Sequence, residues 1–260
     1  MQAVRLTGPG GARDVEVATL PVPEPGPDEA LVRVHAAAVT RDELTWPTDR
    51  LPAIPSYELS GVVETVGADV TEVAAGDEIW ALTPFDRDGV AAEYAVVPAA
   101  ALAPRPTALS HVEAAALPLP GLSAWQGLVE HGALQAGERV RITGAGGGVG
   151  HVAVQIARHL GAEVVAGGAA DLLFDTAGGL ETIEADRVVS VAEEPPAGGT
   201  YFVVEPNRAQ LAELARLVAD GKLRPEIDSV FALADARAAF ERTEARGKRG
   251  KVVLRIATFD

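Results

Sequence analysis

Three glycines carry the clearest chemistry in the chain. Gly144, Gly147 and Gly150 stand at G-x-x-G-x-x-G spacing in GAGGGVG, between a strand-like GERVRIT and a helix-like VGHVAVQIARHLG. With no Cβ in the way, the chain can turn tightly, the backbone can approach a pyrophosphate, and helix and strand can pack closely. A helix starting near Val149 would aim its first N–H groups and the positive end of its dipole at those phosphates. A purely structural turn or a decayed site is the competing reading. The buried strand before the loop and the apolar helix after it favour dinucleotide binding. The next strand, AEVVA, ends in Ala166, Gly167 and Gly168. An acid there would grip the ribose hydroxyls of NAD. Its absence leans towards NADPH and leaves NADH open, since no arginine or lysine follows to hold a 2′-phosphate.

Other site chemistries are scarce. The chain has no cysteine, which removes disulfides, thiolate nucleophiles, cysteine-ligated clusters and every sulfur-based zinc site. Its five histidines, His35, His111, His131, His151 and His159, form no short-spaced pair, so no metal site is expected from them. A formal net charge of -15 repels phosphate backbones and anionic headgroups. The expected partner is a small-molecule substrate, not nucleic acid or a membrane. The start MQAVRLTGPGG lacks an apolar signal core, and no run reaches the ~20 apolar residues that span a bilayer. These features read as a soluble, cytoplasmic protein.

The elements that must position this chemistry fall into two kinds. Short runs at 1–7, 15–22, 30–40, 57–66 and 78–82, punctuated by Gly and Pro clusters, read as strands of a small antiparallel barrel-like module. After Pro106 the character changes. Ser110 is positioned to cap a helix HVEAAAL, and a second helix is expected over 122–130. GERVRIT, the glycine loop, a helix closed by Gly161 and AEVVA then make a βαβ unit. DLLFDTAGG and RVVSVA read as further buried strands. A helix over 209–220 buries Leu211, Leu214, Leu217 and Val218. The tail holds a helix over 233–243 and a last strand, KVVLRI.

In these stretches the chain resembles the medium-chain dehydrogenase/reductase superfamily, in its zinc-independent quinone oxidoreductase, zeta-crystallin-like branch. The specific segments are VHAAAVTRDEL, LPAIPSYELSGVVETVG, GVAAEYAVVPAAALAPRP, EAAALPLPGLSAWQGL, RITGAGGGVGHVAVQIARHLGA and GKRGKVVL. The resemblance implies an α/β protein with a GroES-like β-barrel catalytic domain and a Rossmann domain with a doubly wound parallel sheet. The expected boundaries are 1–121, 122–221 and a return to the catalytic domain over 222–260. Zinc-dependent relatives ligate their metal with a cysteine after the third strand and a histidine in a GHE-type turn. Here those places hold Thr40-Arg41 and Ser56-Tyr57-Glu58, so zinc catalysis is not expected. By position, Thr40 would line the nicotinamide pocket and Ser123 would contact the cofactor. Gly147, Gly148 and Val149 would meet the pyrophosphate, and Asp175 and Thr176 would border the nicotinamide. Tyr57 would line the substrate pocket and donate to a carbonyl. The bland alternatives are that Tyr57 covers the barrel, that Ser123 is a helix cap and that Asp42 and Glu58 are structural partners. Lys251 could touch a cofactor phosphate, but a solvated side chain is the expectation. The implied reaction is hydride transfer from NADPH to a quinone or an electron-poor C=C bond. A homodimer is also implied, for which the apolar YFVVE could supply an edge strand.

The sequence departs from this pattern in its nucleotide-binding half. Only AGGAAD separates Val165 from Leu172, whereas a parallel crossover with its helix takes at least ~10–12 residues. LETIEAD and PPAGGT are short as well. The Rossmann domain is therefore expected to be incomplete where the adenosine end would lie. That raises a second reading: a cofactor-free member of the fold that binds a ligand or guides a cyclisation or isomerisation in its cleft.

Overall fold

The computed structural model describes residues 1–46, 49–180, 184–196 and 198–256. Two β-sheets organise the chain, and a β-ribbon of β1 (Gln2–Leu6) and β2 (Val15–Thr19) flanks the first of them. That sheet is built from β3 (Glu29–Val39), β4 (Glu58–Val66), β5 (Glu78–Leu82), β6 (Tyr94–Pro98) and β7 (Ala103–Pro104). Helix α1 (His111–Ala115) follows, capped as expected: Glu113 N–H donates to Ser110 Oγ, and the Ser110 N–H donates to the Glu113 carboxylate. Helix α2 (Pro118–Trp125) starts earlier than 122, with proline inside its first turn, and continues as a π-helical turn over Gln126–His131. A Cβ on Gly127 would lie 2.3 Å from the Phe174 ring, so helix and sheet approach there at glycine-only distance.

The second sheet holds β8 (Arg139–Ile142), β9 (Glu163–Val165), β10 (Ala170–Asp175), β11 (Ala185–Ser190) and β12 (Thr200–Tyr201), all parallel, in the order β12-β11-β10-β8-β9. Helix α3 (Gly150–His159) joins β8 to β9, and Gly161 ends it at φ +82, the left-handed residue that closes a helix. Helix α4 (Arg208–Ala219) buries Leu211, Leu214, Leu217 and Val218. These pack with Val140, Val152, Ile156, Leu172 and Phe174 in one core. YFVVE contributes only its first residue, Tyr201, to the ladder, in the short strand Thr200–Tyr201. LETIEAD and PPAGGT lie partly outside the described residues.

The tail returns to the first sheet. β13 (Ile227–Ala232) runs parallel to β14 (Lys251–Arg255), with α5 (Ala236–Glu244) between them, and β14 pairs antiparallel with β3. β3 changes partner along its length, pairing with β6 over its first half and with β14 over its second, while β4 holds its other edge. β13 and β6 had no clear sequence signal. Much of β13 is only half buried, so its alternation is weak.

One connection is decisive. β9 and β10 lie on opposite sides of β8, so the four residues between them must cross it. Val165 stands level with Arg141 and Leu172 with Val140. The link must therefore travel roughly 10 Å sideways and a similar distance back along the strands. Four residues reach roughly 17 Å, which suffices only because β9 is three residues long. No crossover helix fits.

Candidate nucleotide site and buried polar seam

The glycine turn grows directly out of β8. Gly144 takes φ +60, and a Cβ there would press on Thr176 Oγ1 and the Ala177 methyl at 3.0 and 3.2 Å. Gly147 N–H donates to Gly144 O at 2.7 Å, closing the turn. Gly150 opens α3 so close behind that a Cβ would lie 2.1 Å from the Gly144 carbonyl oxygen. A Cβ on Gly147 would itself lie 3.1 Å from Gly144 O, so each of the three spaced glycines has its own steric reason. Val149 is the N-cap residue and no side chain caps α3, while the His151 and Val152 N–H groups donate back into the turn, to Gly147 O at 3.2 Å and Val149 O at 3.1 Å. Around Gly146 a Cβ would meet nothing within 4 Å. Open space before an uncapped helix start is what a phosphate needs. At this end the residues present fit a nucleotide.

A seam of bonds ties the turn to the tail. Gly250 N–H donates to Gly146 O at 3.1 Å. His151 bridges the same gap: Nε2 accepts from Glu226 N–H at 3.0 Å, which leaves the ring proton on Nδ1 to reach Gly147 O at 2.8 Å. Burial, its largest influence, keeps this imidazole below its ordinary value and so neutral.

Strand register then assembles the polar centre. β14 lies on one edge of β3 with Val252 opposite Val39, which sets Lys251 beside Thr40. β4 lies on the other edge with Glu58 opposite Ala38. Lys251 is 3% exposed, not solvated as its sequence context suggested. Its Nζ donates to Thr40 Oγ1 at 2.7 Å and pairs with Glu58 Oε1 at 2.6 Å, while Glu58 Oε2 accepts from Leu119 N–H at 2.9 Å. Its stem abuts the turn, since a Cβ on Gly148 would lie 3.1 Å from Lys251 Cδ. Burial raises the Glu58 carboxyl, and Lys251 pulls it back. Glu58 is therefore a structural partner, one of the two roles open for it. Glu43, which no motif in the sequence singles out, is also fully buried: Oε2 accepts from Ser56 N–H at 3.1 Å, and Oε1 has no hydrogen-bond partner among the described residues. Burial pushes its carboxyl up to about 8. Ser56 sits where the GHE-type turn has glycine, and it holds φ +69 while its hydroxyl donates to Ala38 O at 2.8 Å.

The remaining candidates are distributed around this seam. Ser123 lies inside α2 and is 2% exposed, so it is not an N-cap. Asp175 is fully buried and occupied by the protein itself. It accepts from Thr143 Oγ1 at 2.5 Å, Ser190 Oγ at 2.9 Å and the N–H groups of Ala177 and Gly178. Its work is to shape the loop after β10, while Thr176 Oγ1 donates to Thr143 O. Tyr57 has no exposed surface. Its ring lies against Trp46 and Phe85 at centroid distances of 5.9 and 5.1 Å, and Arg50 Nη2 donates to its hydroxyl at 3.4 Å. In this conformation the burial supports a covering role.

Two sequence profiles match. The alcohol dehydrogenase GroES-like domain covers residues 26–107, and the zinc-binding dehydrogenase profile covers 148–254. A probable zinc-binding oxidoreductase, mitochondrial, from Arthroderma benhamiae is 30% identical over 98% of this chain and 98% of its own. That alignment runs over 326 positions against 260 residues here, so at least 66 of its positions face no residue of this chain. A 2-methylene-furan-3-one reductase from Solanum lycopersicum is 30% identical over 90% of this chain and 73% of its own. The solved quinone oxidoreductase from Coxiella burnetii superposes with a TM-score of 0.87 at 25% identity, covering 99% of each chain. The chain belongs to the medium-chain dehydrogenase/reductase superfamily, in its quinone oxidoreductase-like branch.

Proposed function

We propose that this protein is an NAD(P)H-dependent oxidoreductase that reduces a quinone or an α,β-unsaturated carbonyl without zinc. The observation that carries the reading is the glycine turn, whose uncapped helix start faces open space beside the Thr40–Lys251 seam. A bound reduced nicotinamide would supply a hydride, one hydrogen nucleus with two electrons, and the second proton that completes the reduction would come from solvent. The chain's own part is positioning. Lys251 fills the acceptor side of Thr40 Oγ1, so the hydroxyl hydrogen of Thr40 is left to donate to an oxygen in the pocket. The seam holds that hydroxyl at a fixed distance from the turn. The zinc-free reading is supported by the absence of cysteine and by Tyr57 where the turn would have histidine. Among the described residues no group of three or more His, Asp or Glu side chains is placed to hold a metal.

The test is a fluorescence titration with NADPH and NADH, followed by a quinone and enone screen. Saturable binding below ~100 μM, about -5.5 kcal/mol, is expected. No binding at millimolar nucleotide retires the reading in favour of a cofactor-free cleft function, which the shortened sheet would then explain. A homodimer in the cytoplasm completes the proposal. Tyr201 and Val203 are 41% and 58% exposed beside the β12 edge, and among the described residues no helix is long and apolar enough to cross a membrane. A monomer-sized mass in sedimentation at micromolar concentration would count against the dimer.

A further inference from the structure

The end of β9 presents the opposite surroundings to the glycine turn. Gly167 to Ala169 are all exposed, and a Cβ on Gly167 or Gly168 would meet no atom within 4 Å. In a doubly wound sheet the ribose of the adenosine half is gripped at the end of this second strand. Here β9 is the edge of the sheet, so among the described residues no further strand or crossover helix stands beyond it. The link to β10 uses most of its reach in crossing β8, which leaves it no slack to fold over a base. Alanine and glycine side chains offer neither a stacking face nor a hydrogen bond to a ribose or a 2′-phosphate. The residues therefore fit one half of a dinucleotide and not the other.

We infer that the site holds the nicotinamide–ribose–phosphate half of its cofactor alone, leaving any adenosine half in solvent. The inference rests on the nicotinamide reading proposed above and deepens it. Two consequences follow from the geometry. Reduced nicotinamide mononucleotide binds nearly as well as either dinucleotide, and NADH and NADPH are not told apart.

Isothermal titration calorimetry of the full chain tests this directly, with reduced nicotinamide mononucleotide, NADH and NADPH as ligands and 5′-AMP and 2′,5′-ADP as probes of the adenosine half. The expected result is a mononucleotide Kd within about tenfold of both dinucleotides, NADH and NADPH within about threefold of each other, and no heat from the two adenosine probes at millimolar concentration. A larger advantage of either dinucleotide, or saturable binding of either probe, overturns the inference while leaving the proposed function standing. No binding of any nicotinamide ligand overturns both. A second arm uses Gly167→Asp, which places an acid where it would repel a seated 2′-phosphate. An unchanged NADH-to-NADPH ratio is expected, and a shift of tenfold or more towards NADH overturns the inference.

Discussion

The two ends of one βαβ unit have had opposite fates. At the C-terminal end of β8, Gly144, Gly147 and Gly150 are pinned against carbonyls and side chains at distances that leave little or no room for a Cβ. A buried Lys251 and a neutral His151 stitch that turn to the tail of the chain. At the C-terminal end of β9, in the same sheet, the chain touches almost nothing. Crowding marks where several segments converge on one geometry, and its absence marks a surface with no geometry to defend. The glycine turn is the part of the shortened domain onto which the tail of the barrel half is built, through Gly250 N–H on Gly146 O and the Lys251 stem beside Gly148. Beyond β9, the edge of the sheet, the link to β10 packs against nothing at Gly167 and Gly168.

The most damaging way to probe the crowded end is Lys251→Met. It strips the cation from a fully buried Glu58, which must then stay charged and unpaired or take up a proton, at a cost of about 3–5 kcal/mol. Chemical denaturation should show the loss, and Glu58→Gln added to Lys251→Met should recover most of it. A double variant as unstable as the single one would mean the stem packing against Gly148, not the charge, holds the seam. Next in size is Gly150→Ala. Its methyl would overlap the Gly144 carbonyl, backbone against backbone, so about 2–3 kcal/mol of stability and saturable nucleotide binding should both be lost.

These two sites are unequally legible in the sequence. The glycine spacing, the strand before it and the closing Gly161 are all local signals, so residue order alone specifies the turn. The missing crossover is legible too, since counting residues between Val165 and Leu172 is enough to forbid a helix. Lys251 is not. Its burial depends on β14 and β4 flanking β3 in one register, and the run GKRGKVVL by itself describes a solvated lysine as well as a buried one. Glu43 and His151 are hidden for the same reason, their partners Ser56 and Glu226 being contributed by other segments. Gly127, inside the π-helical turn at Gln126–His131, meets the Phe174 ring from far along the chain. Signals that need a partner from another strand are invisible to periodicity.

Acidity separates the seam's members. Glu43 is favoured neutral in the fold, its carboxyl raised from 4.5 to about 8 by burial. The stability it contributes is full below 4.5 and fades as pH rises through 8. Glu43→Gln, the uncharged mimic, should change the melting temperature little at pH 5 and raise it at pH 8.5, by roughly 3–4 kcal/mol of stability. An equal shift at both values would mean Glu43 does not titrate across this range. His151 responds in the other direction. Its lowered pKa means the unfolded chain takes up a proton first, so stability is present above about 6.5 and is lost as pH falls below it. Protonation would set an N–H against the Glu226 N–H. Nucleotide affinity should therefore hold at pH 7 and weaken only on the acid side of the imidazole's ordinary 6.5, and His151→Gln should flatten that profile.

The smallest effect is the finest test of the contrast. Gly167→Ala puts at the end of β9 the same methyl group that Gly150→Ala puts at the turn, and Gly167 holds no left-handed φ. With no atom within 4 Å of the new methyl, the change should alter stability by no more than ~0.5 kcal/mol, and the loss of glycine's freedom in the unfolded chain could even make it stabilising. Nucleotide affinity should not move. A Gly167→Ala variant that lost a kcal/mol or more, or weakened nucleotide binding severalfold, would show that the exposed link is ordered against something when the protein works. The two ends of the unit would then be alike after all. A silent substitution there, beside a crippling one at Gly150, would establish that only the phosphate end of the old site is still under constraint.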